Sequence, residues 1–463
     1  MTLTPADATP QTAAIADVRH SPFPSSHMRQ LSHSSFTPRI AAVLGLLVAT
    51  SAAGAQGSYP TSWDAAVMRR ADVRAAIAHV EKGMPSHIEE WITIAEMPGK
   101  SRSEAQRAAY VRKAMEAEGL RVSVDSIGNV TGVRAGSGGG PTVVFAAHMD
   151  IVHALETNLT VRRAGDTLHG PGIFDNSASV ANMLATIRAM NAAKIRTKGN
   201  LVFVATVQEE LGLRGMNHWF EHNPKPDLLI SMDGGLGPIN YGALGIYWTK
   251  YVFTSAGSHT VTSRGKPTPV KALADAIQRI YDLKFPALPE GAVINVGQVH
   301  GGVIYNGVPQ ELHFTVDLRS PDPILLDSLD RTIGRLVQEA ATKEKVGLRV
   351  EVEQKNQAGG TTAQLEGARR HPLVQTAVDI QTSLGIVPLP GAPEALATGS
   401  TDGNVGVVRG VPSIAIGRSR GGNQHTLTEW ADAPSALPAT KLVLLLAVTF
   451  GDGIRTVSQT VIP

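Results

Sequence analysis

Cysteine is absent from the 463 residues. That excludes a disulfide framework, a thiol nucleophile and a thiolate metal site. Excess charge is also missing: 42 Lys and Arg stand against 40 Asp and Glu, a formal net charge of +2. No field of that size recruits nucleic acid or anionic lipid. Near the N-terminus the apolar run 40–49 is too short to span a bilayer comfortably. What is present is a globular composition, 43% apolar and 18% charged, in a chain long enough for two or three domains with their own cores. Glycine, 46 residues, exceeds the usual share and signals many tight turns. Any catalytic metal in such a chain must be held by His, Asp and Glu.

The N-terminal segment has the pattern of an export signal. Arg29 and Arg39 precede the apolar run, and Ser51-Ala52-Ala53-Gly54-Ala55 follows it. Ala53 and Ala55 supply the small-x-small signature of a cleavage site, so cleavage is expected after Ala55. This places the mature chain in the periplasm or outside the cell, without stable membrane association. Residues 1–27 are polar and precede a second methionine, Met28, which is an alternative start. An uncleaved anchor or a disordered tail is the other reading of this segment.

Beyond residue 60 helical and strand patterns alternate. Helices are expected over 66–82, 103–118 and 177–192, and strands buried on both faces over 142–147, 201–207 and 228–232. Strands separated by helices imply an α/β fold with a mixed, mostly parallel sheet between helical layers. The texture then changes to strand 247–255, helix 269–283, strands 292–300 and 311–318, helix 324–343 and strand 348–353. That β-α-β-β-α-β order is ferredoxin-like, a compact α+β unit inserted in the chain. After Gly359-Gly360 the α/β pattern resumes, with a helix over 372–384, a strand over 411–416 and a last helix over 438–451. The expected organisation is an N-terminal extension (1–55), a first catalytic part (56–246), an inserted domain (247–355) and a second catalytic part (356–463).

The acidic and imidazole side chains fall at strand ends. His148-Met149-Asp150 follows the strand at 142–147, Glu209-Glu210 the strand at 201–207, and Asp233-Gly234-Gly235 the strand at 228–232. Asp175 ends Gly170-Pro171-Gly172-Ile173-Phe174-Asp175 and opens a helix; His425 lies in the Gly-rich loop 421–425. In a parallel sheet the carboxyl ends of the strands line the ligand crevice. Carboxylates converging there repel one another, and divalent cations remove that penalty. Two imidazoles, several carboxylates and no thiolate suit zinc, with manganese and cobalt as the other candidates. Each piece alone has a structural explanation, such as a helix cap or a solvated helix start; their order and placement together are specific.

With these residues in place, the chain resembles the di-zinc aminoacylase and peptidase family that includes tripeptidase T, glutamate carboxypeptidase and succinyl-diaminopimelate desuccinylase. The resemblance runs from about residue 60 to the C-terminus. It implies one metal on His148 and Asp233, the other on Glu210 and His425, and Asp175 bridging both. It further implies Glu209 as general base, Asp150 orienting His148, and a cis peptide at Asp175-Asn176. In the inserted domain, the lid of the family, it implies His259 as an oxyanion-stabilising group, often across a dimer, and Asn306 and Arg319 as substrate-binding groups. For His259 the alternative is an exposed loop histidine, and for Arg319 an ion pair with Asp317. Ser400-Thr401-Asp402-Gly403 resembles the Gly-rich substrate loop of the family, or is a plain turn. His153, His169, His218, His222, His300, His313 and His371 read as non-ligands, and Trp219 and Trp248 as core or rim. Asp233-Gly234-Gly235, Thr401-Asp402-Gly403 and the loop ending in His425 resemble the tripeptidase T-like branch; the export signal is a departure, since tripeptidase T itself is cytoplasmic. The resulting expectation is a metallopeptidase acting on di- or tripeptides. An N-acyl amino acid amidohydrolase or a carboxypeptidase with the same metals is the alternative, and a non-catalytic binding protein a third reading. The resemblance also implies that the lid can support a homodimer by edge pairing of its sheet.

Overall fold

The runs at 142–147 and 201–207 pair with one another in parallel in the interior of the protein. The structure is a computed structural model that describes residues 59–387 and 398–456. The export signal and its cleavage point after Ala55 lie outside the described residues. In chain order the first part comprises α1 (Ala71–Ala95), α2 (Ala105–Ala117), β1 (Arg121–Val124), β2 (Val130–Arg134), β3 (Val143–His148), α3 (Ala178–Ala192), β4 (Leu201–Thr206), α4 (Arg214–His222), β5 (Leu228–Met232) and β6 (Ile239–Asn240). Next come β7 (Gly245–Thr254), α5 (Pro269–Tyr281), β8 (Val293–Gly301), β9 (Glu311–Ser320), α6 (Pro323–Glu344) and β10 (Gly347–Asn356). Helix α7 (Pro372–Ser383), β11 (Ser413–Ile416) and α8 (Ala436–Gly451) follow.

The main sheet has seven strands in the order β1-β2-β4-β3-β5-β11-β6. Its centre, β4-β3-β5-β11, is parallel, and β2 and β6 flank it antiparallel. Every residue of β3, β4 and β5 is buried, because helices cover both faces. Alternation along β3 shows the two layers. Val143, Phe145 and Ala147 join a core with Trp91 of α1, Met183 of α3 and Leu445 of α8. Val144 and Ala146 point the other way, into a cluster with Met216, Trp219 and Phe220 of α4. The stretch Ala433–Gly451 is long and apolar enough to cross a membrane, yet 78% of its most apolar window is buried inside this fold, as a core helix is.

Helix α1 departs from expectation. The pattern predicts 66–82, but the helix runs to Ala95 through Gly83 and Pro85. Beyond the proline, Ile88, Trp91 and Ile94 are buried in the main core, and Trp91 Nε1 donates to the Ile173 carbonyl at 2.6 Å. Tertiary packing outweighs the local helix-breaking preference.

The inserted unit is a four-stranded antiparallel sheet in the order β8-β9-β7-β10. Helices α5 and α6 contribute to a second apolar core that includes Tyr251, Phe253, Phe314 and Leu336. Its β-α-β-β-α-β order is the one the sequence predicts. A small sheet elsewhere joins Arg420–Gly422 and Trp430–Asp432 to Thr167–His169 and Arg162–Ala164. It anchors both ends of the loop that carries His425.

Candidate metal centre

Four neighbouring strand ends deliver the site. His148 is the last residue of β3, Glu209 and Glu210 follow β4, Asp233 follows β5, and Arg418 follows β11. Asp175 arrives from the turn before α3. There Gly172 has φ 71° and its Cβ position lies 2.6 Å from Ile151 Cγ2, so a side chain is excluded by conformation and by space. The Asp175-Asn176 peptide is cis, as the resemblance implies.

The side chains converge. His148 Nε2 lies 3.2 Å from Asp175 Oδ1, 3.9 Å from Asp233 Oδ2 and 4.0 Å from Glu209 Oε2. His425 Nε2 lies 2.9 Å from Glu210 Oε1 and 3.5 Å from Asp175 Oδ2. Two compact donor sets result, His148–Asp175–Asp233 and Asp175–Glu210–His425, with Asp175 common to both and its two oxygens turned to different sets. A further grouping, His148–Glu209–Glu210, places Glu209 beside them. Asp175 Oδ1 is buried and accepts no hydrogen bond. That oxygen has ion-pair neighbours, His148 Nε2 and Arg418 Nη2 at 3.2 Å each, but no aligned donor, and its place among imidazole and carboxylate groups with no sulfur present fits a borderline divalent cation.

The charges show what that cation would relieve. Burial opposes a charge on His148, but Glu209, Asp150, Asp175 and Asp233 hold its pKa well above the usual imidazole range. Burial lifts Glu209 well above the carboxylate range; His148 opposes this, and Asp233, Glu210 and Asp402 reinforce it. Burial would also lift Asp175, yet Arg418, His148 and His425 hold it well below its ordinary value. His425 is pushed up to about 10 by its bonds to Asp175 and Glu210. Without a cation these shifts favour protons on the imidazoles and on Glu209, beside the fixed charge of Arg418, and a divalent ion bound there would compete with those protons.

Asp150 does more than the resemblance implies. His148 Nδ1 lies 3.1 Å from the Asp150 carbonyl and 3.4 Å from Oδ1. The carboxylate also accepts from Ser101 Oγ (2.7 Å), Glu209 N (3.0 Å) and Glu210 N (3.2 Å). One buried carboxylate thus orients the imidazole and fixes the turn that presents both glutamates.

Sequence reasoning missed two supports. Arg418, 1% exposed, bonds Asp233 Oδ1 and Asn176 Oδ1 and lies 3.2 Å from Asp175 Oδ1, with its guanidinium 4.2 Å from the Phe174 ring centroid. Its position directly after a buried strand was the available signal. Glu429, 1% exposed, accepts from the backbone N–H groups of Gly172, Phe174 and Asp175 at 2.7–2.8 Å. Burial pushes its pKa up to about 7. No linear pattern announces it, since its partners lie more than 250 positions earlier.

Asp402 is 2% exposed and accepts from Thr206 Oγ1 at 2.5 Å, at the end of β4. The lid residues stand apart. His259 and Asn306 face each other, Nε2 to Nδ2 3.5 Å, His259 in the short segment Ser258–His259 and Asn306 just before the segment Gly307–Val308 that pairs with it. Both are exposed, and their described contacts do not include the five converging ligands. Arg319 on β9 binds Asp317 at 3.0 Å, the ion pair the sequence offers as an alternative.

Compared with known proteins, the chain is 28% identical over 165 residues to a LysW-lysine hydrolase of Deinococcus radiodurans, covering 35% of this chain and 44% of that one. It therefore spans less than half the length of that relative. Over 347 residues it is 24% identical to the uncharacterized protein YqjE of Bacillus subtilis, covering 71% of this chain and 89% of the relative. The fold matches the crystal structure of a tripeptidase from Staphylococcus aureus with a TM-score of 0.64 at 20% identity, covering 79% of this chain and 98% of the other. The profile of peptidase family M20/M25/M40 matches residues 144–449, a span that takes in all five converging ligands, and the chain belongs to that family.

Proposed function

We propose that the chain is an exported metal-dependent exopeptidase that releases N-terminal residues from di- and tripeptides. The observation that carries this reading is the pair of donor sets sharing Asp175, with the carboxylate of Glu209 beside them. His148, Asp175 and Asp233 would hold one cation and Asp175, Glu210 and His425 the other, zinc being the metal this donor chemistry suits best. Bound there, the pair would polarise the scissile carbonyl and lower the pKa of an attacking water. Glu209, outside both sets, takes the proton of that water on its carboxylate and delivers it to the departing amine. Asp150 keeps His148 in the tautomer whose Nε2 faces the cluster. Arg418 and Glu429 hold the bridging loop in register with Asp233. His259 and Asn306 reach substrate from the lid, in this chain or from a second copy.

Support for peptides over acyl amino acids comes from the tripeptidase and an aminopeptidase among the proteins that share this fold; Arg319, paired with Asp317, favours neither, since both substrate classes end in a carboxylate. The test is a panel of di- and tripeptides with free or acetylated N-termini, offered to zinc-loaded protein. Cleavage of the free peptides alone supports an aminopeptidase. Equal or preferred cleavage of the acetylated peptides transfers the activity to the deacylase or carboxypeptidase reading.

A further inference from the structure

A second group of potential ligands lies on the surface, away from the strand ends. Helix α4 buries Trp219 and Phe220 and turns His218, Glu221 and His222 outward. Residues three and four apart share a helix face, and one ligand atom from each of these three lies within 4.8 Å of the others. The two imidazole rings are 4.1 Å apart, centroid to centroid. In the linear order they read as non-ligands, because nothing links them to the strand-end junctions; the folded helix gives them a site of their own.

Three further observations point to a cation. His222 Nδ1–H donates to the His218 carbonyl at 2.9 Å, which leaves the lone pair on Nε2, the arrangement that orients a ligating imidazole. His218 Nε2 lies 3.1 Å from Ser126 Oγ, and the tautomer that donates there keeps Nδ1 for a metal. The group sits on the last turn of α4, where the helix dipole favours positive charge. Among the described residues Glu221 has one loose partner: Arg409 Nη2 is 3.7 Å away, and that guanidinium also lies over the Phe220 ring and bonds Asn217.

We propose that His218, Glu221 and His222 form a surface site for a divalent transition metal, distinct from the pair at Asp175. Two imidazoles and one carboxylate make a three-ligand zinc site with its fourth position open to solvent. Copper(II) binds the same donors more tightly. The proposal does not depend on the peptidase reading.

The test counts zinc in the full chain. Wild type, His218→Asn/His222→Asn and the single variant His222→Gln are equilibrated with buffered low-micromolar free Zn2+ and analysed by mass spectrometry of the bound metal. Both variants are expected to hold one zinc per chain fewer than wild type, with peptide turnover unchanged. His222→Gln leaves the His218–Ser126 contact in place, so a folding defect in the double variant does not decide the result. Equal zinc content in wild type and both variants overturns the proposal. Because the readout is a difference, it stands whether or not two further ions bind at Asp175.

Discussion

Glu209 and Glu210 are adjacent in the chain and close in space, yet their neighbours assign them different work. Glu210 meets His425 and shares a donor set with Asp175, while Glu209 approaches His148 and stands outside both Asp175-centred sets. Glu209→Gln is accordingly expected to keep its metal content while kcat falls by about 10²–10⁴-fold; measuring bound metal and turnover on one sample separates the roles. His425 carries a pH prediction. Its pKa in the metal-free protein is raised to about 10 from 6.5, so the ring is protonated at neutral pH and a metal must displace that proton. Chelator-competition titrations should show affinity for the second donor set rising with pH from 6 to 9. The sign for folding is opposite: the stabilisation of the metal-free protein by charged His425 is complete below the unfolded value and disappears as pH rises through about 10. Glu429→Gln should cost about 1–3 kcal/mol in denaturant unfolding, by weakening the bonds its carboxyl accepts from three backbone N–H groups. It should also loosen metal binding through Asp175. Residues at strand ends were legible in the sequence because a buried apolar run followed by His, Asp or Glu marks a crevice. Arg418 shares that signal but lies in a run of Arg, Ser and Gly that reads as a turn. Glu429 acts through backbone groups, which carry no sequence signature.

Elements were legible where periodicity and burial agreed. The runs that became β3, β4 and β5 are apolar throughout because helices cover both faces. The alternation of β9 appears in its burial, inward at Leu312, Phe314, Val316 and Leu318. Helix α1 was not legible past Lys82, because Gly83 and Pro85 oppose a helix locally and only contacts distant in sequence repay it. Trp91→Ala tests that account: it should destabilise the fold by about 3–5 kcal/mol, read as a lower unfolding midpoint. At the start of α6, Asp322 accepts from the Ile324 and Leu325 N–H groups. Asp322→Ala should cost only about 0.5–2 kcal/mol and leave turnover unchanged, since it caps a lid helix and touches nothing in the metal cluster.

At the scale of the whole molecule, ends of the main sheet supply His148, Glu210 and Asp233, the turn before α3 and the loop of the small sheet add Asp175 and His425 as the other candidate ligands, and the lid that carries His259, Asn306 and Arg319 has a core of its own. The order of both units could be read along the chain; the proposed reach of lid residues toward substrate could not, because it would depend on how units or copies meet rather than on local pattern. Metal should couple the unit that holds it to stability: at a thousandfold excess over Kd, one ion bound only by the folded state adds about 4 kcal/mol. Stripping the protein with a chelator should therefore lower its unfolding temperature, and zinc should restore it. In the proposed site, carboxylates and imidazoles from distant parts of the chain gather around two cations bridged by one aspartate. Anomalous diffraction at the zinc edge from crystals grown with zinc tests this arrangement most directly. Two peaks about 3.5–4 Å apart are expected, one beside His148 and Asp233, the other beside Glu210 and His425, with Asp175 between them. A single peak, or ions that leave Asp175 without a metal bond, would contradict it.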